Sequence, residues 1–204
     1  MQLLRKRYRE GFMIDTKSLQ FGTIAEFETP CRSMDLKGKD IVVATPDRSA
    51  GGAESRMTGV APHCVRLALQ ELKCFEVVEH QFRYWGLTFT NVVAIQPSNP
   101  AFLTASGTTI LMGAPKSGQI EVSFKYPVRF VSGLVTSSRR TVLSACDADG
   151  IQIAQDEMPG PNLVGSSSPI DPSTELCVKA PNISKVTFYA FDGQLVVHDL
   201  IFGF

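Results

Sequence analysis

The sequence predicts an all-β protein, and three observations carry the prediction. After residue 64 the chain breaks into about ten strand-length apolar runs, rich in Val, Ile, Phe and Thr and spaced as a sandwich or barrel requires. Between the runs stand clusters of turn residues. The chain then closes on two apolar runs, I-S-K-V-T-F-Y-A-F and Q-L-V-V-H-D-L-I-F-G-F, joined by Asp192-Gly193. Asp-Gly between such runs signals a hairpin, because a tight turn needs the positive φ that glycine takes without strain.

Taken in order, the first 64 residues form a loop-rich extension. Breakers are frequent there (Gly22, Pro30, Gly38, Pro46 and S-A-G-G-A at 49–53), and short strands are expected only at Leu19 to Phe27 and Asp40 to Ala44. About sixty such residues rarely hold a core of their own. They are expected to wrap over the main body, with Phe12, Phe21 and Phe27 packed on it.

Residues 65–204 form the predicted sandwich domain. Its runs are C-V-R-L-A-L-Q-E-L, G-L-T-F-T-N-V-V-A-I-Q, T-T-I-L-M, Q-I-E-V-S-F-K-Y, V-R-F-V-S-G-L-V-T-S, T-V-L-S-A-C-D, I-Q-I-A-Q and E-L-C-V-K-A, then the closing pair. Val65 to Glu79 can be drawn as an amphipathic helix, but its β-branched content favours strands. The turns are Pro97-Ser98-Asn99-Pro100, Lys116-Ser117-Gly118, Asp147-Ala148-Asp149-Gly150 and Pro159-Gly160-Pro161-Asn162.

Twenty basic residues balance twenty acidic ones, so no global field draws the chain to nucleic acid or anionic lipid. An apolar content of 44% with 20% charge is that of an ordinary globular domain, and no run approaches a membrane span. The opening residues lack the apolar stretch of a signal peptide, so a cytoplasmic location is expected, with Met13 an alternative start to Met1. The five cysteines are scattered without a C-x-x-C; a disulfide framework or zinc site is not expected, and Cys146 and Cys177 read as small buried hydrophobes.

Asp199 is the most informative single residue. Strict alternation puts it on one face of the last strand with Leu195, Val197 and Ile201, and His198 on the other with Val196, Leu200 and Phe202. A carboxylate on an apolar face must be neutralised, hydrogen-bonded or bound to a cation. The aromatic cluster Phe82, Tyr84, Trp85 and Phe89 offers a second lead. Sugar rings stack on aromatic planes while polar side chains take the hydroxyls, so Arg83, Tyr84, Trp85 and Asn91 form a candidate ligand site; core packing is the competing reading. Asn99, in a proline-braced loop, is a further candidate.

Other motifs fail on spacing. Asp147 to Gly150 lacks the third ligand and the closing Glu of a calcium loop and reads as a hairpin turn. Gly113 to Gly118 has its lysine on the wrong side of the glycine for a phosphate loop. Neither G-x-S-x-G nor H-E-x-x-H occurs, and the three histidines are dispersed, so no catalytic activity is expected.

The features after residue 64 resemble, in order, galactose-binding-domain-like jelly-roll β-sandwiches of the kind found in PEP-CTERM and uncharacterised cyanobacterial proteins. The resemblance rests on Leu69 to Lys73, on Tyr84 to Asn91, on V-L-S-A-C-D-A-D-G-I-Q-I-A at 142–154 and on His198 to Phe202. It implies a two-sheet antiparallel jelly roll, and because both faces of the last strand are apolar the closing pair is expected among its interior strands. It also implies a structural calcium ion between the first and last strands, held by Gln70, Glu71 and Asp199, and a non-enzymatic module whose ligand is a glycan. The alternative is an interaction or scaffold domain that engages a protein partner through the sandwich face or the N-terminal extension.

Overall fold

The computed structural model describes residues 41–48, 64–102, 107–113 and 118–204. The expected strand at Leu19 to Phe27, and Phe12, Phe21 and Phe27, lie outside the described residues. The protein is an all-β sandwich. Its strands are β1 (Ile41–Ala44), β2 (Cys64–Leu67), β3 (Leu87–Thr90), β4 (Val92–Ile95), β5 (Ile110–Gly113), β6 (Gln119–Ser137), β7 (Thr141–Cys146), β8 (Gln152–Met158), β9 (Thr174–Tyr189) and β10 (Leu195–Gly203). Short 3-10 turns occur at Leu69–Glu71 and Arg83–Trp85.

Several runs that read as separate strands are continuous. The two runs on either side of Pro127 make the single 19-residue β6, and E-L-C-V-K-A with the first closing run make the 16-residue β9. The reverse happens at Asn91, whose φ of 67° breaks one expected run into β3 and β4. In β6 the register shifts between Ser123 and Val128 and again before Phe130, and opposite this irregular stretch β9 carries Pro181 and Asn182, the latter at φ 62°. Proline donates no ladder bond and a bulged strand bends, so the paired strands turn a corner together there.

That corner makes the two layers. One holds β3, the first half of β6, the second half of β9, β7 and β8; the other holds β1, β2, β5, β10, the second half of β6 and the first half of β9. Contacts across the interior confirm the folding-over. Phe188 pairs with Ile120 and Leu143 in the first layer, yet its ring lies against Gly133 in the second, and Phe124 meets Phe202 with centroids 5.5 Å apart. The buried core runs between them and includes Leu87, Ile120, Leu143, Ile183, Leu195 and Phe202.

Two details differ from expectation. The sheet is mixed, because β1 runs parallel to β2, and β6 and β9 belong to both layers. The closing strands are also not a hairpin: β9 and β10 both flank β6, on opposite edges. They are interior strands, as both apolar faces of the last strand required. Asp147 to Gly150 does close the β7–β8 hairpin, with Asp147 Oδ1 accepting from the N–H of Asp149 and of Ile151 at 3.0 and 2.9 Å. Cys146 and Cys177 are half-buried rather than core residues, and Cys177 is disulfide-bonded, so the cysteine reading is corrected at that residue.

Gly133 tests the corner. A Cβ there would stand 2.8 Å from Phe188 Cζ, and Phe188 is fully buried. Gly133→Ala is expected to destabilise the fold by about 1–3 kcal/mol through overpacking. A urea midpoint equal to that of the parent would show that the layers are not in contact at this point.

Candidate functional site

The structure answers the Asp199 puzzle through a bulge. Val197 pairs with Val135 and Asp199 with Leu134, so one extra residue, His198, is inserted. A one-residue insertion moves everything beyond it to the other face. Asp199 therefore leaves the interior, where Leu195 and Val197 remain, and joins Ile201 on the outer face. There it meets Arg66 of β2, whose Nε donates to Oδ1 at 2.9 Å and whose Nη2 donates to Oδ2 at 2.5 Å. This bidentate clamp holds the guanidinium above its ordinary pKa, chiefly through the hydrogen bonds and against an opposing effect of burial.

The clamp borders a groove of about 220 Å³ whose polar wall includes Ser132 and Glu175. Ser132 Oγ lies 2.6 Å from Glu175 Oε1. His198 faces the same outer side and its Nε2 lies 2.8 Å from Thr136 Oγ1. Burial lowers the pKa of His198 to about 4. Arg66, Glu175 and Ser132 carry no motif. Only the register, which the sequence does not display, brings them together.

The residues do not fit a calcium ion through Asp199. Both of its carboxylate oxygens face a guanidinium, Gln70 and Glu71 stand exposed on a 3-10 turn, and no cluster of His, Cys, Asp and Glu suited to a metal occurs among the described residues.

The expected ligand residues fall on three elements. Arg83, Tyr84 and Trp85 share one 3-10 turn: Arg83 pairs with Asp47 at 3.0 Å and lies 5.7 Å from the Tyr84 ring centroid, while half-buried Trp85 packs against the core. Asn91 stands at the β3–β4 break and donates from Nδ2 to the Gln119 carbonyl at 2.8 Å. Asn99 folds its own loop, its Oδ1 accepting from the Ala101 N–H at 3.0 Å.

A second concavity lies at one end of the sandwich. The β6–β7 and β9–β10 connections both pass from one layer to the other there, since Leu195 pairs with Ser137 and Val142 with Tyr189. They brace each other: the Ser138 N–H donates to the Gln194 carbonyl at 3.0 Å and the Gln194 N–H to Ser138 Oγ at 2.9 Å. Between them is a cleft of about 490 Å³ lined by Ser138, Arg139, Asp192, Gly193 and Gln194. Beside it, Phe191 is 75% exposed and stands edge-on to the half-exposed Tyr189 at 6.4 Å. The sequence signal was the Asp-Gly pair, but a hairpin reading assigned it no further role.

No protein-family model and no curated protein matches the chain. Solved structures similar to it include glycoside hydrolases, carbohydrate-binding modules and a bacteriophage tailspike protein. A Bacillus subtilis glycoside hydrolase family 43 arabinoxylan arabinofuranohydrolase, in complex with cellotetraose, is 14% identical over 55% of this chain and 24% of that one, at a TM-score of 0.34. The CBM22-1 and GH10 modules of a Clostridium thermocellum endo-1,4-beta-D-xylanase, complexed with xylohexaose, are 12% identical over 64% of this chain and 27% of that one, also at 0.34. TmCBM61 in complex with beta-1,4-galactotriose is 13% identical over 57% and 82%, at 0.27. The chain thus spans about a quarter of the length of the two enzymes. These TM-scores lie below 0.5, and the likenesses decide nothing about ligand or activity.

The clamp is asymmetric: Arg66 has a side-chain exposure of 51% and Asp199 of 13%. Arg66→Ala leaves a desolvated carboxylate and is expected to cost about 1–3 kcal/mol, whereas in Asp199→Asn the guanidinium turns to water and the loss stays within about 1 kcal/mol. Equal losses in urea titrations would contradict the clamp.

His198 gives a pH signature. Its folded pKa lies below the unfolded value of about 6.5, so its contribution is complete above that value and is lost as pH falls toward 4. Between pH 7 and pH 5 the loss is about 2 kcal/mol. His198→Gln should remove that part of the pH dependence, and parallel stability curves for the two proteins would rule it out.

Proposed function

We propose that the chain is a non-enzymatic glycan-binding module and that its ligand site is the cleft at the end of the sandwich. The observation that carries the reading is the solvent-facing pair Phe191 and Tyr189 beside a concavity walled by Arg139, Asp192, Gln194 and Ser138. An exposed aromatic costs solvation unless it meets a partner, and the apolar face of a pyranose is such a partner. Arginine, carboxylate and carboxamide groups then bond the ring hydroxyls. The volume is that of a small-ligand site. One cation and one anion in the wall favour neutral sugars over acidic ones.

The polar groups support binding rather than catalysis. Asp199 is clamped by Arg66, and Glu175 in the wall of the same groove is engaged by Ser132 Oγ at 2.6 Å, so both carboxylates there are committed to partners within the protein. A second reading, a protein-contact domain, draws on Phe75 and Val77, which are 80% and 58% exposed between β2 and β3.

Titration of the full chain with neutral oligosaccharides by calorimetry decides between them. Binding should fall at least tenfold in Phe191→Ala and in Arg139→Ala, with melting temperatures unchanged, because tenfold is about 1.4 kcal/mol of contact energy. Binding indifferent to both substitutions would overturn the cleft, and no binding across the panel would leave the protein-contact reading.

A further inference from the structure

We infer that the ligand of the end cleft is a glycan whose backbone turns between successive sugar rings, and not a flat ribbon. The inference rests on the glycan-binding reading above and names the linkage class that the same site takes. The Tyr189 and Phe191 rings stand at 71° to each other with centroids 6.4 Å apart. A chain of equatorially 1,4-linked β-pyranoses is a ribbon whose ring faces lie nearly parallel. Stacking along such a ribbon needs aromatic faces in one plane, because the attraction is between faces. A ribbon laid flat on Phe191 would pass Tyr189 without meeting its face. An α-1,4 or β-1,3 linkage rotates the next ring out of the plane of the first, so one ring can lie on Phe191 and its neighbour can turn toward Tyr189.

The backbone fixes where the two rings start. Tyr189 is held in the β9 ladder, paired with Gln119 on one side and Val142 on the other. Beyond it the Ala190 N–H donates to the Gly118 carbonyl at 2.7 Å, and the Gly193 N–H to the Ala190 carbonyl at 3.1 Å. Gly118 is suited to this contact by having no side chain, since a Cβ there would collide with the Ala190 carbonyl oxygen. Phe191 therefore projects from a connection that is pinned on both sides. A rim set before the ligand arrives selects by shape, because a chain of the wrong curvature gains nothing from loop movement.

The polar wall agrees. No salt bridge joins Arg139 to Asp192 among the described residues, so groups of both signs remain open to hydroxyls. The Arg139 stem lies against Gly193, where a Cβ would stand 2.8 Å from its Cγ. A chain that turns at the rim carries its next hydroxyls into this cleft. A ribbon stacked on Phe191 keeps its equatorial hydroxyls at its own edges.

Calorimetry on the full chain with hexasaccharides tests the inference, because linkage can be varied while length is held constant. Maltohexaose and laminarihexaose are the turning chains; cellohexaose and chitohexaose are the ribbons. The tightest-binding turning chain should bind about tenfold or more tighter than either ribbon. Phe191→Ala should weaken every complex. Tyr189→Leu keeps apolar bulk in the ladder but removes the second plane, and should shrink the preference to about threefold or less. A ribbon that binds as tightly as the turning chains, and loses affinity in Phe191→Ala, would overturn this inference and leave the cleft as a glycan site. Undiminished preference in Tyr189→Leu would overturn it as well. Absence of any affinity that depends on Phe191 would overturn the glycan-binding reading itself, and the linkage class with it.

Discussion

The corner in the β6–β9 ribbon is the constraint on which the other features rest. A straight 19-residue strand would project far beyond a domain of this size and leave both faces of a flat sheet in water. Folding it at Pro127 and Pro181 turns one ribbon into two facing layers and brings Phe188 over Gly133. The prolines occupy positions where a ladder donor is already lost to the bulge, so the bend costs few hydrogen bonds. The glycine supplies the space that lets the layers close. Pairing of residues distant in sequence follows, from Val135 with Thr174 out to Gln119 with Tyr189, and with it a largely non-local fold.

The bulge at His198 is the same device on a smaller scale. Without it Asp199 would stand inside with Leu195 and Val197, a buried charge with no partner. One inserted residue exchanges that cost for an unpaired ladder position and places the carboxylate opposite Arg66. The inserted residue is itself accommodated, since its imidazole reaches Thr136, whose Oγ1 also accepts from the Ser173 N–H at 3.2 Å. Loop β8–β9 is anchored nearby through Asn162, fully buried, whose amide bonds the Ser137 N–H and the Val135 and Asp171 carbonyls.

Strand content was legible in the sequence because alternation and β-branched runs report it locally. Most runs between Ile110 and Phe202 coincide with strands. What the sequence hides is whatever depends on pairing. Nothing local distinguishes Pro127 at a corner from a proline between two strands, so β6 read as two elements. Asp192-Gly193 has hairpin chemistry, but whether its flanking strands pair is decided by β6 lying between them. Asp199 was singled out correctly as a charge needing an answer. Its partner, Arg66, lies 133 positions away and appears only once β2 docks beside β10. The Arg83–Trp85 aromatics were legible as a cluster, whereas their bonds to Asp47 and to the core were not.

Failure of the hairpin also explains why the sandwich end is open. A two-residue turn between paired strands would be narrow, with its flanking aromatics stacked across the ladder. Here the connection must instead carry the chain from β9 in one layer to β10 in the other, and the β6–β7 connection makes the opposite crossing beside it. Two crossings side by side cannot close over the core without leaving a cleft between them. The reciprocal bonds of Ser138 and Gln194 fix its width. Phe191, at the outermost point of its crossing, has no strand to pack on and stays in solvent. The same topology that removes the hairpin thus creates a rigid, polar concavity with an aromatic at its rim.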